Sequence, residues 1–379
     1  MRRELVVIGG GPVGASLARA VRDLPVALVA QQRPHPPARE GFDARVYALS
    51  PGNVAFLESL GVWQAIPPER VVAVHAMRIF GDRASSLEFD AYGAGVPALA
   101  WIVEDAVLQH ALWRDLEVEV LTAQCESLSV DEEWASLKLD AGISFSTRLI
   151  VGADGASSFV RRQAKIEVRE RDYGQSAVVA NFRCAKPYAN VAWQWFQRGA
   201  VLALLPLPGP HVSMVWSLPA EEARRISALE SDALCREVQS AAQGTLGELS
   251  LVTAPRSYPL RRLAAQRMVA PRVALAGDAA HVIHPLAGQG LNLGLQDART
   301  LAEVLYSREP RRDPGELRLL RRYERSRAEP ILAMDTMVDS LFHLFGAEHG
   351  FVGRLRNAGM NLTDRLPVVK NMLMRQAMT

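Results

Sequence analysis

The chain has 379 residues, of which 49% are hydrophobic and 22% are charged, and its formal net charge is +2. This balance is typical of a globular protein and does not favour a nucleic-acid partner. A chain of this length usually divides into two domains, because single hydrophobic cores stop growing below it. It contains no run of about 18 apolar residues, so no membrane span is predicted. The scattered Cys125, Cys184 and Cys235 exclude a disulfide framework and favour a reducing cytoplasm.

The chain opens with a strand, a glycine-rich turn and a helix. Leu5–Ile8 is a short β-branched run, the motif Gly9-x-Gly11-x-x-Gly14 follows, and Ala15–Arg22 has helical character. Val26–Ala30 then predicts a second buried strand. The first glycine allows a tight turn, the second lets the backbone approach a pyrophosphate, and the third lets the helix pack on the sheet. This opening predicts a dinucleotide-binding fold with phosphates at the helix N-terminus.

The end of the second strand departs from the usual dinucleotide pattern. An acidic residue normally ends this strand and binds the ribose hydroxyls, but this chain reads Gln31-Gln32-Arg33. Glutamine can still hydrogen-bond a ribose, although less strongly than a carboxylate does. An arginine here can instead accept the 2′-phosphate of NADP. The first motif therefore leaves FAD and NADP both open.

The central part of the chain changes character. Helices are predicted at Asn53–Gly61 and Glu104–Leu116, and strand-like runs dominate from residue 177. These runs are Ala177–Cys184, Val191–Phe196, Ala200–Leu207 and Val212–Leu218, with the turn Pro208–His211 between the last two. They cannot continue a β–α alternation, so they predict a sheet-rich domain inserted into the first. One helix is predicted at Ala220–Gln243, a strand at Val273–Ala276, and helices after Leu291.

Two further segments place polar residues and glycines at strand ends. Gly152-Ala153-Asp154-Gly155 follows a strand-like run, and a later segment extends from Ala276 to Asp297. In the later segment, Asp278 offers a carboxylate to sugar or ribityl hydroxyls at the end of a strand. Pro285 fixes a rigid turn, and Gly288-Gln289-Gly290 opens a helix. Its N–H groups would suit the pyrimidine end of a reduced flavin, which carries negative charge.

At this segment the likeness to a known family becomes specific. Residues 284–294 carry every position of the pattern His-Pro-x-Ala-Gly-Gln-Gly-x-Asn-Leu-Gly. The pattern resembles the ubiquinone-biosynthesis hydroxylase branch of the flavin monooxygenases related to para-hydroxybenzoate hydroxylase. Further similar segments are Asp43–Ser50, Glu104–Leu112, Gly152–Arg161, Asp364–Pro367 and Met374–Met378. The resemblance therefore spans nearly the whole chain.

The resemblance implies a mixed α/β (α+β) fold with two domains. A Rossmann-like FAD-binding domain of the para-hydroxybenzoate hydroxylase type would comprise residues 1–73, 98–175 and 263–330. A sheet-rich substrate domain, inserted into it, would comprise residues 74–97 and 176–262. Residues 331–379 would form C-terminal helices.

The resemblance also implies roles for individual residues. Contacts with FAD are implied for Gly9, Gly11, Gly14, Arg45, Gln109, Asp154, Asp278, Gly288, Gly290, Leu291 and Asn292. Asp278 would hold the ribityl chain, and Gln109 would reach the cofactor from its helix. Pro285 would lie near the reactive carbon of the flavin, and it forms the predicted catalytic pair with His284.

The implied reaction is the hydroxylation of an aromatic ring, on a prenylated phenol of ubiquinone biosynthesis, by FAD and O2 through a flavin C4a-hydroperoxide. The resemblance also implies that NAD(P)H or a separate reductase supplies the electrons. This fits the chain, in which no second strand–glycine–helix motif predicts a dedicated NADPH domain. Other ubiquinone-biosynthesis proteins are candidate partners. Three alternatives stay open: a hydroxylase of a small soluble aromatic acid, a flavoprotein reductase or dehydrogenase that does not activate oxygen, and a non-catalytic flavin-binding member of an assembly.

Other groupings are interpreted more simply. His281-x-x-His284 lacks a third ligand nearby, so no metal site is predicted. Trp193, Trp195 and Trp216 are expected in the sheet core or in the wall of the substrate pocket. The chain is predicted to be cytoplasmic. Its tail beyond Gly350 has five basic residues and one acidic residue, and it either packs on the main body or contacts a membrane surface peripherally.

Overall fold

The computed structural model describes residues 2–38, 40–81, 86–140, 142–186, 189–197, 199–284 and 288–346, with side chains up to residue 340. Pro285 and the tail residues 347–379, for which the sequence makes predictions, lie outside these ranges. The strands in chain order are β1 (Arg2–Ile8), β2 (Val26–Ala30), β3 (Val46–Leu49), β4 (Val71–Val74), β5 (Ala76–Phe80), β6 (Ser86–Asp90), β7 (Ala100–Glu104), β8 (Glu119–Thr122), β9 (Cys125–Val130), β10 (Ala135–Leu139), β11 (Ser144–Gly152), β12 (Val168–Cys184), β13 (Val191–Gln197), β14 (Ala200–Leu207), β15 (His211–Pro219), β16 (Leu249–Ala265), β17 (Val269–Ala270), β18 (Val273–Leu275) and β19 (His281–Val282). The α-helices are α1 (Pro12–Ala20), α2 (Pro51–Ser59), α3 (Ala91–Ala94), α4 (Asp105–Trp113), α5 (Phe159–Gln163), α6 (Ala220–Ser227), α7 (Ser231–Ala241), α8 (Gly290–Tyr306) and α9 (Leu317–Gly346).

The first sheet is built on parallel strands. Its order is β17-β18-β11-β1-β2-β8, with β10 paired to both β11 and β9. Strand β1 pairs in parallel with β2 and β11, and β11 pairs in parallel with β18. Their residues form near-continuous apolar runs because both faces of such a sheet are buried. The C-terminal ends of β1, β11 and β18 therefore meet at one edge, where an α/β sheet places its ligands.

A small antiparallel sheet, β3-β7-β4, lies beside this edge. Strand β3 follows Arg45, and β7 leads directly into α4, which carries Gln109. Val46 pairs with Glu104 in this sheet, so the two segments are held side by side. The small sheet thus brings Arg45 and Gln109 together, although 64 positions in the sequence separate them.

The second sheet has the order β19-β16-β12-β15-β14-β13-β5-β6. β12 and β16 are long strands of 17 residues each, and they pair from Val168–Ala265 to Cys184–Leu249. Both strands run through the predicted boundaries at 175/176 and 262/263, and the domain division itself stays a prediction. The predicted hairpin is confirmed, because β14 and β15 pair with Leu207 opposite His211.

The two faces of the second sheet have different neighbours. On the outer face, Trp195 and Trp216 share a core with α6 and α7, and Trp193 packs against that core. Residues that alternate with them face the other way: Phe196 packs against helices α8 and α9, and Ala192 packs against the small sheet. Of the two places expected for the tryptophans, the sheet core is confirmed, and the wall of the substrate pocket is not where these three side chains lie.

The segment 220–243 also differs from its prediction as one helix. It forms α6 and α7, with Glu230 extended at the start of the second helix. Helix α6 packs on β12, β16 and β15, and α7 packs on β16. The break lets two apolar faces follow a twisted sheet, which one straight helix does not. Helices α8 and α9 confirm the predicted helical C-terminal region as far as Gly346, the last described residue. No helix within the described ranges is long and apolar enough to cross a membrane.

Candidate active site

The glycines of the first motif do different things. Gly9 has φ +114°, and a Cβ there would lie 2.1 Å from the carbonyl oxygen of Ala153. A Cβ at Gly14 would lie 1.9 Å from the carbonyl oxygen of Gly9. At Gly11, by contrast, no described protein atom lies within 4 Å of an added Cβ. Gly9 and Gly14 thus allow close packing of loop and helix, while Gly11 leaves its backbone open to a ligand at the N-terminus of α1.

A contact that the sequence did not reveal supports this loop from α4. Trp113 donates a hydrogen bond from Nε1 to the carbonyl oxygen of Gly10, 2.8 Å away. A Cβ at Gly10 would lie 2.5 Å from the Trp113 ring. No local pattern signals this pairing, because the partners are 103 positions apart.

Asp154 in the second motif caps the helix that follows it. Its Oδ1 accepts a hydrogen bond from the Ser158 hydroxyl at 2.5 Å, and its Oδ2 accepts from the Phe159 N–H at 2.7 Å. These bonds shape the loop that packs against Gly9 and start α5. The predicted contact of Asp154 with FAD stays a prediction, since its carboxylate already serves its own loop.

Asp278 lies in the one-turn helix Gly277–Ala279, directly after β18. Its side chain is exposed to solvent, but the protein atoms around it still reduce the hydration of the carboxyl and thereby raise its pKa. The nearby His281, Arg45 and Arg261 lower this pKa. Solvent access and crowding protein atoms together indicate a group on the wall of an open cleft. A carboxylate in such a place can accept hydrogen bonds from hydroxyl groups of a ligand.

Arg45 and Gln109 meet across the small sheet. Tyr47 and the carboxylates of Asp105 and Asp278 raise the pKa of Arg45, against the effect of burial, so all three lie near its guanidinium. The Gln109 side chain donates to Asp105 Oδ1 at 2.7 Å, and the Tyr47 hydroxyl donates to the same oxygen at 3.1 Å. Tyr47 and Asp105 were missed from the sequence, although both stand within segments that resemble the family.

The segment before β3 is anchored by a buried ion pair. Glu104 is 1% exposed and accepts from Arg70 Nε and Nη2 at 2.8 Å each. Its Oε2 also accepts the Asp43 N–H at 2.7 Å. Asp43 in turn accepts from the N–H groups of Arg45 and Ala106. The Asp-x-Arg spacing therefore serves to hold Arg45 at the cleft.

The start of α8 closes the site from the other side. Asn292 is 1% exposed; its Oδ1 accepts the Ser50 N–H at 2.9 Å, and its Nδ2 donates to the Ala48 carbonyl at 2.8 Å. This side chain ties α8 to the small sheet, so it positions the helix end. Gly288 has φ +61°, and no described atom lies within 4 Å of a Cβ added at Gly290. Leu291 packs against the hydrophobic core around the first sheet.

The two histidines of the later segment have separate partners. His281 Nε2 lies 2.6 Å from Asp297 Oδ2 in the interior. His284 is 1% exposed, and burial lowers its pKa to about 4, so its imidazole is neutral at pH 7. Its Nε2 lies 3.3 Å from Gln175 Oε1, and its ring meets Tyr173 edge-on at 4.8 Å. The predicted partner Pro285 lies outside the described residues.

The inner face of the second sheet forms the wall opposite these loops. Strand pairing places Val179, Val215 and Ala203 in one row across it. Ala203 and Val215 are partly exposed, and the buried clusters on either side of the row contain Phe196 and Ala192. The row is apolar and lies on the same face as these clusters, which pack against the small sheet, α8 and α9, so it suits an apolar or aromatic molecule.

These features fit a flavin dinucleotide. Gly11 and Gly290 present open backbone at helix N-termini, where phosphate and an electron-rich ring are stabilised. Arg45 adds a positive charge, and Asp278 adds an acceptor for hydroxyl groups. Gln31, Gln32 and Arg33 are exposed at the end of β2, so they do not decide the identity of the nucleotide. Among the described residues, three or more side chains of the metal-ligating types do not come together at any point.

Comparison with known proteins identifies the cofactor class. A family described as FAD binding domain matches residues 2–335. The chain is 31% identical to 3-demethoxyubiquinol 3-hydroxylase of Escherichia coli, covering 99% of this chain and 98% of that protein. It is 32% identical to ubiquinone hydroxylase UbiL of Rhodospirillum rubrum, with 99% and 89% covered. It is 31% identical to the human ubiquinone biosynthesis monooxygenase COQ6, with 98% and 91% covered.

Solved structures agree on the fold. PqsL of Pseudomonas aeruginosa superposes with a TM-score of 0.79 at 25% identity, covering 96% of this chain and all of that one. The p-nitrophenol 4-monooxygenase PnpA of Pseudomonas putida has a TM-score of 0.80 at 18% identity, with 100% and 98% covered. The predicted fold and FAD are thereby confirmed. This chain belongs to the family of FAD-binding monooxygenases that includes the hydroxylases of ubiquinone biosynthesis.

Proposed function

We propose that this protein is an FAD-dependent monooxygenase that hydroxylates the aromatic ring of a prenylated phenol in ubiquinone biosynthesis. The observation that carries the proposal is the full-length likeness to ubiquinone-biosynthesis hydroxylases from bacteria and man. Because the match covers both the glycine loops and the inserted sheet, the likeness includes the cofactor side and the substrate side of the cleft.

Bound FAD would supply the chemistry that activates O2, and the chain's own residues would bind and orient it. Gly11 and the N-terminus of α1 would receive the pyrophosphate, with Arg45 nearby as a counter-charge. Asp278 would accept hydrogen bonds from the ribityl hydroxyls. Gly288 and Gly290, at the start of α8, would direct backbone N–H groups toward the negative end of the reduced ring.

The substrate ring would lie between the flavin site and the inner face of the second sheet. Val179, Val215 and Ala203 exclude water from this space, because they present no hydrogen-bonding group. Neutral His284 would add no charge beside the flavin, and its contact with Gln175 holds the His284 ring, which directly precedes Pro285 in the sequence. Pro285 keeps its proposed place near the reacting carbon.

The source of electrons is proposed as NAD(P)H or a separate reductase. Anaerobic mixing of the purified protein with NADH or NADPH distinguishes these, because direct reduction bleaches the oxidised flavin absorbance. Bleaching that requires an added reductase would assign the donor to a partner protein.

One observation favours a second candidate, the hydroxylation of a small soluble aromatic acid. Arg256 on β16 pairs with Val179, so it continues the apolar row of the inner face with a positive charge. Its side chain is exposed, and it suits a carboxylate. PqsL, at 25% identity, has been solved with 2-aminobenzoylacetate, which carries such a group.

Deletion of the gene in its host, with mass spectrometry of the quinone precursors, tests the proposal. We expect a prenylated phenol that lacks one hydroxyl to accumulate, and its structure identifies the carbon that is oxidised. Unchanged ubiquinone without a new lipid intermediate would instead favour the soluble acid, to be checked by oxygen uptake of the purified protein and of Arg256→Gln. Flavin reduction without substrate-dependent oxygen uptake would indicate a reductase or dehydrogenase.

A further inference from the structure

The turn that carries Asp278 is held at both ends by charged side chains. At its start, the Gly277 N–H donates to Asp297 Oδ2 at 2.9 Å. At its end, Arg161 Nη1 donates to the Ala279 carbonyl oxygen at 2.8 Å. Hydrogen bonds with one charged partner are stronger than neutral ones. The position of Asp278 is therefore set by residues from two distant helices, α5 and α8.

Asp297 is the more deeply placed of the two anchors. It has 0% exposure, and its Oδ1 accepts from Arg327 Nε at 2.7 Å while its Oδ2 lies 2.6 Å from His281 Nε2. Burial alone raises the pKa of this carboxyl, but His281 and Arg327 together hold it below its usual value. The carboxylate is thus ionised, and it joins the turn, β19, α8 and α9 at one point.

The approach of α8 to the turn depends on another glycine. A Cβ at Gly294 would lie 2.6 Å from Val13 Cγ2 and 3.2 Å from Gly277 Cα. Asp297 follows Gly294 by three positions, so both lie on the same face of the helix. Gly294 brings the helix against the turn, and Asp297 then bonds the turn directly.

Strand β18 leads into the turn that carries Asp278, and a similar arrangement lies at the other end of this strand. Arg272, just before β18, donates to Asp313 at 3.1 and 2.9 Å, and Asp313 Oδ1 accepts the Gly315 N–H at 2.8 Å. Each aspartate thus binds an arginine and a glycine amide. Asp297 stands beside the proposed cofactor turn, whereas Asp313 stands at the far end of β18.

We propose that Asp297 is a positioning residue for FAD: through the Gly277 amide it fixes the turn that presents Asp278, and Arg327 and His281 keep its carboxylate in place. The inference rests on the cofactor role proposed above for Asp278. It links the C-terminal helix α9 to cofactor retention, because Arg327 belongs to that helix.

Release of FAD from the full-length holoenzyme tests this inference. The purified protein is diluted, the rise in free-flavin fluorescence gives the release rate, and thermal unfolding is followed in parallel. We expect Asp297→Asn to release FAD about tenfold faster or more, since a charged hydrogen bond to the turn is lost. Asp313→Asn should lower the unfolding temperature and keep the release rate within about twofold of the wild type.

Loss of the carboxylate leaves Arg327 buried without its partner, which can prevent folding. The double variant Asp297→Asn/Arg327→Gln removes that unpaired charge and still withdraws the carboxylate from Gly277. Wild-type release from either Asp297 variant, or equal acceleration by Asp313→Asn, would overturn the inference. Asp278→Ala separates the two proposals. Wild-type release from Asp278→Ala would rule out the cofactor role of Asp278 and, with it, the inference about Asp297. Fast release from Asp278→Ala together with wild-type release from the Asp297 variants would rule out the inference alone.

Discussion

The indole of Trp113 donates a hydrogen bond to the carbonyl oxygen of Gly10, and its ring occupies the space where a Gly10 side chain would stand. Helix α4 therefore supports the glycine loop while it also carries Gln109 to the cleft. The contact makes a clear distinction between two neighbouring glycines. Gly10 is packed against protein atoms, whereas Gly11 faces open space among the described residues.

Gly10→Ala and Gly11→Ala should have different effects. The first places Cβ 2.5 Å from the Trp113 ring and 2.7 Å from Ala30 Cβ, so we expect a loss of about 1–3 kcal/mol in the free energy of unfolding. The second meets no described atom, and its φ of −69° suits alanine, so unfolding should change by less than about 0.5 kcal/mol. Its FAD affinity should nevertheless fall about tenfold or more, because Cβ enters the space in which we propose that the pyrophosphate lies. Urea unfolding measures the stability of both variants, and FAD titration measures their affinity. Wild-type FAD affinity of Gly11→Ala would show that the Gly11 backbone does not face the cofactor.

Protonation of His284 should make the fold less stable in mild acid. Its pKa is lowered from 6.5 to about 4 by burial, so the unfolded chain binds the proton more tightly than the folded chain. The stability contributed by the neutral ring is complete above pH 6.5 and is lost as pH falls toward 4. The shift corresponds to about 3 kcal/mol. Urea unfolding between pH 7 and 4.5 should show a shallower pH slope for His284→Gln than for the wild type.

Exposed His110 offers the control for this experiment. His110→Gln should retain the wild-type slope. An unchanged slope in His284→Gln would mean that His284 is not the group responsible.

Glu104→Gln should destabilise the fold and loosen the segment before β3. The substitution leaves Arg70 without its charged partner at a buried site, which typically costs about 3–5 kcal/mol. The exposed pair Arg78–Glu88 gives a matched control, since Glu88→Gln should cost less than about 1 kcal/mol. Chemical denaturation of both variants measures the difference. Equal effects would mean that burial does not strengthen the Arg70–Glu104 pair.

Val215 and Trp216 are adjacent in the sequence and lie on opposite faces of the second sheet. Substitutions at the two positions therefore distinguish an effect on the substrate site from an effect on folding. Val215→Gln puts an amide on the inner wall, so turnover of a prenylated phenol should fall about tenfold or more while FAD is retained. Trp216→Phe makes a small cavity in the outer core but removes an indole N–H that has no described partner, so stability should change by about 1 kcal/mol or less. Steady-state kinetics of both variants would contradict the assignment of faces if Trp216→Phe lowered turnover and Val215→Gln did not.

The sequence by itself determined much of this protein. The order strand, glycine loop, helix and strand is written in neighbouring residues, so the dinucleotide fold was predictable at Leu5–Ala30. Turn residues likewise predicted the β14–β15 hairpin, and the pattern at 284–294 resembled the correct family. These signals are local, because turn geometry and side-chain periodicity depend on residues a few positions apart.

Only the tertiary structure decided which side chains meet. The sequence predicted the tryptophans in the sheet core or in the pocket wall, and only the packing of α6 and α7 on the second sheet placed them in the outer core. The Trp113–Gly10 and Arg161–Ala279 contacts join residues more than 100 positions apart. The bond from Gly277 to Asp297 requires α8 to lie against the turn, an approach that Gly294 permits. Such contacts depend on how helices and sheets pack in space, and a single sequence carries no local signal for that packing.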